Sequence, residues 1–411
     1  MPTKLIKKRT NFWAASLLSL RLVVGLVMQK LVAIKFGPAG TALFSHFQNL
    51  LAIFIQPVQD IIGQGLISGY SNKAFQKKYV LLGNALLLSF LLTLGLSLLV
   101  FIFGQKLLLF FNFSFNQWLA LLFSILMLSI QLLIANYFIA RRKIRLLVIL
   151  FSGQWLLILF VLFYFQLSTT TFLYNYTLLQ AAFTVFYIII VLMQYPEVRR
   201  INFIPNKAVV HHFQQYLYIG FVVLASTKIT DYFIRNYAIE VFGITETGFW
   251  QAATRISDAY RGLFISFLML TAYPVFAALN EPMALALNLK KLLKKTLLMA
   301  LPFLVVCAFF APFIMQIAYS KDFMPAVDLF RLQLVADIFA LMGFPLAILL
   351  LAKVETSKYV IAEICSAVIY ILIALLGKAN SISLLLYAQI IRFVIYLMVV
   401  ILFTKKYWKI D

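Results

Sequence analysis

The chain has 411 residues, 64% of them hydrophobic and 12% charged, with apolar residues in repeated runs long enough to cross a bilayer. That composition describes an all-α polytopic membrane protein and excludes a soluble enzyme or binding domain. Its 35 Lys and Arg against 13 Asp and Glu give a net charge of +22, yet most basic residues sit in short loops and form no dense soluble face, so no nucleic acid is expected as a partner.

The amino terminus resembles a secretory leader, because Lys4, Lys7, Lys8 and Arg9 precede an apolar run. That run continues to about Phe36 without a cleavage site, which predicts a retained first helix with its basic cluster in the cytoplasm. Further spans are predicted near 41–69, 79–103, 117–140, 144–165 and 171–194, after a first at 11–36. Six more follow near 213–240, 245–279, 296–319, 325–352, 357–377 and 382–404, each long enough to cross about 30 Å at about 1.5 Å per residue.

Loop charges give an independent reading of orientation, since basic residues collect on the cytoplasmic side. One set of loops holds Lys73, Lys77 and Lys78, then Arg141, Arg142, Lys143 and Arg145, then Lys290, Lys291, Lys294 and Lys295. The opposite set holds only Lys35, Lys106, Lys321 and Lys378. The expectation is twelve transmembrane helices with both termini cytoplasmic. Residues 195–212 are polar, with Pro196, Pro205, Arg199, Arg200 and Lys207. They read as a cytoplasmic linker between six-helix lobes at 1–194 and 213–411.

Charges inside the spans mark the functional region. The eighth span carries Arg255, Asp258 and Arg261, and Gln251, Arg255 and Asp258 share one helical face. Arg21, Lys30, Lys228, Arg235, Arg331 and Arg392 lie in other spans, as do Asp60, Asp231, Asp337 and Glu363. Eight cations left facing lipid would cost about 20 kcal/mol even on insertion scales, so a hydrated, net-positive interior is expected. Lys228, Asp231 and Arg235 form a second polar stripe, on the seventh span. Each charge also has a plainer reading: Arg255 with Asp258, or Asp231 with Arg235, as intrahelical pairs; Lys30 as a residue snorkelling to the interface; Asp60 and Asp337 as polar bridges or coupling carboxylates. Arg331 reads as the partner of Asp328, and Trp250 as an interface anchor or a sugar-stacking residue. The cysteines, Cys307 and Cys365, and the histidines, His46, His211 and His212, show no metal-ligand spacing, so neither a metal nor a cofactor is expected.

A weak internal repeat supports the two-lobe organisation. Phe36-Gly37 ends the first span and Phe242-Gly243 the seventh, an offset of 206 in a chain of 411, and the same offset pairs Phe44 with Trp250. Six spans per half make the repeats parallel, with a site expected between the halves. Pro57, Gly63 and Gly65 around Asp60, and Gly262 with Pro274, mark places where these helices bend.

Three stretches carry a resemblance to a known family: FGPAG at 36–40, GFWQAATRISDAY at 248–260 and DLFRLQLVADIF at 328–339, with a fainter echo in YVIAEI at 359–364. They resemble the Wzx-type lipid-linked oligosaccharide flippases of the multidrug/oligosaccharidyl-lipid/polysaccharide (MOP) exporter superfamily. The resemblance implies a V-shaped, two-lobed transporter of the bacterial inner membrane. Such a transporter moves an undecaprenyl-pyrophosphate-linked oligosaccharide, an O-antigen, common-antigen or related repeat, from the cytoplasmic to the periplasmic face by alternating access. A polysaccharide polymerase and a chain-length regulator are its implied partners.

The chemistry of the residues agrees with this implication. A pyrophosphate carrying sugars cannot shed its water to cross hydrocarbon, and a planar guanidinium makes paired hydrogen bonds to phosphate oxygens. Arg21, Arg255 and Arg261 are the first candidates for the pyrophosphate, with Lys30, Lys228, Arg235, Gln251 and Asp258 lining the same cavity; Asp60, Asp231 and Asp337 are candidates for ion coupling or structural bridging. No phosphate-binding loop motif is present, so ATP hydrolysis by the chain is excluded. A multidrug antiporter should carry an acidic, aromatic cavity, and a polymerase or ligase a sizeable periplasmic loop. The longest such loop, about Gly104 to Asn116, has no acid or histidine. No catalytic residue is therefore assigned.

Overall fold

The computed structural model describes residues 2–71, 77–103, 110–279, 281–377 and 381–408, and among them every regular element is helical. Lys73, Lys106 and Lys378 lie outside the described residues, as do residues 104–109 of the expected long loop. The helices, in chain order, are α1 (Pro2–Pro57), α2 (Gln64–Ser71), α3 (Lys78–Phe103), α4 (Phe115–Ala140), α5 (Ile144–Tyr164), α6 (Thr169–Gln194) and α7 (Lys207–Val223). They continue as α8 (Thr230–Phe242), α9 (Ile244–Ala278), α10 (Pro282–Phe309), α11 (Ala311–Ala318), α12 (Ala326–Ala352), α13 (Thr356–Leu376) and α14 (Ser383–Thr404). Two π-helical stretches interrupt them, Val58–Gly63 around Asp60 and Leu224–Ile229 ending next to Lys228. Each wider turn places a transmembrane charge where the ordinary backbone ladder is locally reset.

Local chemistry sets the helix ends. Ser114 caps α4 in a reciprocal box with Gln117, Ser168 accepts from the Thr171 amide at the start of α6, and Asn206 accepts from Ala208 and Val209 at the start of α7. These side chains satisfy amides that the first helical turn leaves without intrahelical partners.

Among the described residues eleven helices are long and apolar enough to cross a membrane, the first of them running Ser16–Tyr70. Its 55 residues would reach roughly 80 Å if straight, far beyond one bilayer core. The helical path breaks inside it at Gly37, whose φ of 63° and ψ of −161° belong to glycine. Gly243, between α8 and α9, has nearly the same conformation, φ 83° and ψ 162°. The likeness extends along the chain: the Thr41 hydroxyl donates to the Gly37 carbonyl at 3.0 Å, and Thr247 to Gly243 at 2.8 Å. The Phe-Gly repeat is thus a repeated corner.

Contacts divide the chain into two units, Met1–Met28 with Phe47–Leu224, and Gln29–His46 with Ala225–Asp411. The first packs α2 to α7 around Ile61, Leu66, Leu81, Phe138, Tyr187 and Phe213. The segment after α6 is built into it: a 3-10 turn covers Pro196–Arg200, and the Asn84 side chain donates to the Ile204 carbonyl and accepts from the Asn206 amide. The second unit packs α9, α12 and α14 closely, with Phe249, Trp250, Tyr319, Phe323 and Phe330 in its core. Trp250 is 4% exposed, so it is a packing residue and neither an interface anchor nor an open stacking surface. At the end of this unit Glu355 gathers Lys358 at 2.7 Å together with Lys406 and Tyr407, tying the chain after α14 to the α12–α13 turn.

Candidate functional site

Two groups of buried charge in the second unit, neighbours along α9, differ in whether their cations form ion pairs. In the first, Arg235 from α8 and Arg255 from α9 converge on the Ser45 carbonyl, from Nη1 at 2.9 Å and Nη2 at 3.1 Å. Arg235 Nη1 also donates to Gln251 Oε1 at 3.2 Å. Neither arginine makes an ion pair among the described residues, and the Nε of each is buried without a hydrogen-bond partner. Two guanidinium groups therefore share one neutral acceptor, an arrangement that an anion would stabilise. His46 stacks on Tyr232 beside them, ring centroids 4.8 Å apart.

In the second cluster the cation is neutralised. Asp337 on α12 is fully buried and accepts from Ser257 at 2.6 Å, from Gln333 at 2.9 Å and from Tyr260, while Arg261 Nη1 lies 3.3 Å away. Arg261 also pairs with Asp258 at 2.6 Å, and the Asp258 side chain is 44% exposed. Arg261 thus has carboxylates on two sides and its charge is spent within the protein. Asp337 has the surroundings of a bridge between α9 and α12.

The other sequence candidates are distributed more widely. Gln251 is buried against Arg235, so the Gln251-Arg255-Asp258 face runs from the core outward to the exposed carboxylate. Lys30 donates to the Ile317 carbonyl at 2.7 Å, where α11 ends, an ammonium at the negative end of a helix. Arg21 belongs to the first unit, its guanidinium carbon 5.6 Å from the Phe151 ring centroid, whereas Arg255 and Arg261 belong to the second. Asp60 is half-buried in its π-helical stretch, and Lys228 and Asp231 are half-buried around the start of α8. Arg331 pairs with Asp328 at 3.0 Å on the surface. Among the described residues no cluster has the makings of a metal site.

Sequence reading passed over the Ser45 carbonyl, a backbone atom that no residue type announces. It also passed over Ser257, Tyr260 and Gln333, although their signal was present: Ser257, Tyr260 and Arg261 share one face of α9, and Gln333 and Asp337 lie one turn apart on α12.

No family model matches the chain. Its sequence is 22% identical over 380 residues to the lipid III flippase of Escherichia coli strain K12, covering 87% of this chain and 88% of that protein, and it matches the lipid III flippase of Shigella flexneri to the same extent. Among solved structures, the lipid II flippase MurJ in an inward closed conformation superposes with a TM-score of 0.72 at 16% identity, over 96% of this chain and 87% of that one. An inward-facing multidrug resistance MATE family transporter of the MOP superfamily gives 0.69 at 13% identity, over 93% and 92%. The chain thus shares the fold of these solved transporters over nearly its whole length, its described residues include eleven helices long and apolar enough to span a membrane, and its sequence is similar to two lipid III flippases.

Proposed function

We propose that the chain flips an undecaprenyl-pyrophosphate-linked oligosaccharide, such as an O-antigen or common-antigen repeat, from the cytoplasmic to the periplasmic leaflet. The observation that carries this reading is the pair Arg235 and Arg255, two cations within membrane spans that share one carbonyl and lack a carboxylate partner. A pyrophosphate supplies the missing charge and acceptors, and the planar guanidinium matches its oxygens. Asp258, exposed one turn from Arg255, and Gln251 would then meet the sugars. A cationic drug is the poorer match, because Asp337 and Asp258 are both engaged by Arg261.

In this proposal the chain crosses the membrane twelve times, with Gly37 and Gly243 as periplasmic corners and both termini cytoplasmic. Six-helix lobes at 1–194 and 213–411, joined through 195–212, alternate access to the site. Arg21, Lys30 and Lys228 remain candidate contacts along the route, and Asp60, in its π-helical stretch, the candidate for ion coupling.

The test is translocation of a labelled undecaprenyl-pyrophosphate oligosaccharide in proteoliposomes. Losing a charge-assisted contact worth about 1.5–3 kcal/mol should lower transport efficiency roughly 10- to 100-fold in Arg235→Ala and in Arg255→Ala, with membrane insertion unchanged. Unaltered transport in both variants would overturn the site. Transport of no lipid-linked saccharide, with ion-coupled efflux of a cationic drug, would overturn the function.

A further inference from the structure

A second site lies in the first unit, away from the arginine pair. Helices α3, α4 and α6, closed by residues 198–203, surround a cavity of about 350 Å³, within the size range of small-ligand sites. Leu86, Ile134, Ile188, Val191 and Phe203 are among its walls, which are apolar apart from Arg199 and Tyr137. The helical wall residues fall within about three turns of the start of α3 and of the ends of α4 and α6, so the cavity sits at one end of the bundle, level with the membrane interface. That end carries Arg141, Arg142 and Lys143 and is cytoplasmic under the expected topology.

The mouth of the cavity is cationic. Arg199 lines it, held by Nε and Nη2 donating to the Leu192 carbonyl at 3.3 and 3.1 Å, which leaves Nη1 without a protein acceptor among the described residues. The Arg141 guanidinium packs over the rings of Tyr195 and Tyr137, 4.8 and 5.8 Å from their centroids, and Tyr137 is itself a wall. The wall residue Phe203 is itself 56% exposed, and Met193 and Ile204, next in the chain to the wall residues Leu192 and Phe203, are 73% and 70% exposed. Large apolar side chains arranged in this way belong against acyl chains, and a guanidinium beside them belongs at the phosphate level.

We propose that this cavity binds one acyl chain of an anionic phospholipid of the cytoplasmic leaflet, with the lipid phosphate held by Arg199 and Arg141. The walls offer a saccharide few hydrogen bonds, from Tyr137 and Arg199 alone, and a neutral lipid tail would leave Arg199 Nη1 without an acceptor; Arg141, which donates to the Tyr70 hydroxyl at 3.4 Å, adds positive charge close by. The segment carrying Arg199 is held in place by Asn84, so the site is formed before the lipid arrives. Its role is independent of the substrate: a bound lipid would fasten the 196–206 segment to the first unit.

Native mass spectrometry of the full chain, titrated with phosphatidylglycerol and with phosphatidylcholine of the same acyl chains, tests the proposal. The chain should retain one phosphatidylglycerol with a preference of about tenfold or more, two arginines each contributing part of it. The double variant Arg199→Gln with Arg141→Gln should shrink that preference to about twofold. Ile188→Trp, which fills the cavity, should lose the retained lipid at unchanged thermal stability, whereas Met193→Trp on the outer rim should keep it. If Ile188→Trp disturbs folding, the smaller Leu86→Phe decides the same point. Equal retention of both lipids, or undiminished retention in a folded cavity-filling variant, overturns the proposal. Displacement by undecaprenyl phosphate at equal or lower concentration also overturns it, because the cavity would then belong to the transported substrate.

Discussion

At the residue scale the question is which intramembrane charges are free to act. Arg261 is paired with both Asp337 and Asp258, whereas Asp337 has Arg261 as its cation, so removing Arg261 strands the Asp337 charge in the interior while removing Asp337 leaves Arg261 its pair with Asp258. Leaving a buried charge without its partner costs about 3–5 kcal/mol, and Arg261→Ala should show that loss as a lower unfolding temperature in detergent. The double variant Asp337→Ala with Arg261→Ala should be less destabilised than the sum of its parts, which a double-mutant cycle measures. Arg255→Ala should show the opposite pattern, impaired transport at near-normal stability, because two like charges no longer crowd the Ser45 carbonyl. Glu355 gives a pH prediction outside the membrane. Partial burial pushes its carboxyl up, but the hydrogen bonds from Lys358, Lys406 and Tyr407 outweigh this and hold it down at about 2. The folded-state value lies below the unfolded value of about 4.3, so the cluster's contribution is complete above that pH and disappears as pH falls toward 2. The stability difference between the wild type and Glu355→Gln should therefore be constant near neutrality and vanish across that acidic interval.

At the scale of elements, the two corners and the approach of α9 to the first of them depend on glycine. Gly37 and Gly243 take a positive φ with extended ψ, and a side chain there adds about 1–3 kcal/mol of backbone strain. A Cβ on Gly248 would lie 2.1 Å from the Pro38 carbonyl oxygen, a backbone atom that cannot turn aside. Gly37→Ala, Gly243→Ala and Gly248→Ala should each lower thermal stability. Gly153→Ala is the contrast: it sits in the interior of α5 with nothing within 4 Å of the added carbon, and should raise stability by about 0.5–1 kcal/mol. If all four behave alike, the corners are not the constraint described here. The π-helical stretches at 58–63 and 224–229 also belong to this scale. Each accommodates an extra residue in one turn at a place where a charged side chain enters the span.

At the scale of the whole molecule, the topology is the testable object. The proposed twelve crossings would place Lys143 and Asn206 in the cytoplasm and Ser114 and Ser320 in the periplasm. Single cysteines introduced at these positions, in a chain with Cys307 and Cys365 replaced by Ala, should react with a membrane-impermeant maleimide in intact cells only at 114 and 320. Reaction at 143 or 206 before lysis would reverse the orientation. Ser114 and Ser168, where two loops end, cap their helices from the same expected side, so a reversal would move both together.

Much of this protein is legible in its sequence. Apolar run length alone decides that the chain is helical and membrane-spanning, because hydrocarbon leaves the backbone no other way to satisfy its hydrogen bonds. Glycine at 37 and 243 announces the corners, since so few residues tolerate that conformation. Two of the three motifs behind the family resemblance, at 36–40 and 248–260, lie beside those corners, and the third is at 328–339. What spacing along a helix cannot settle is whether a charge is spent. Arg255 and Arg261 lie six residues apart on α9 and look equivalent in the sequence, yet one meets a neutral carbonyl and the other two carboxylates. That distinction depends on Ser45 and Asp337, which are brought to α9 from distant parts of the chain. Only the tertiary structure decides it, because the free energy of a buried charge is set by the neighbours packing supplies and not by those beside it in the chain.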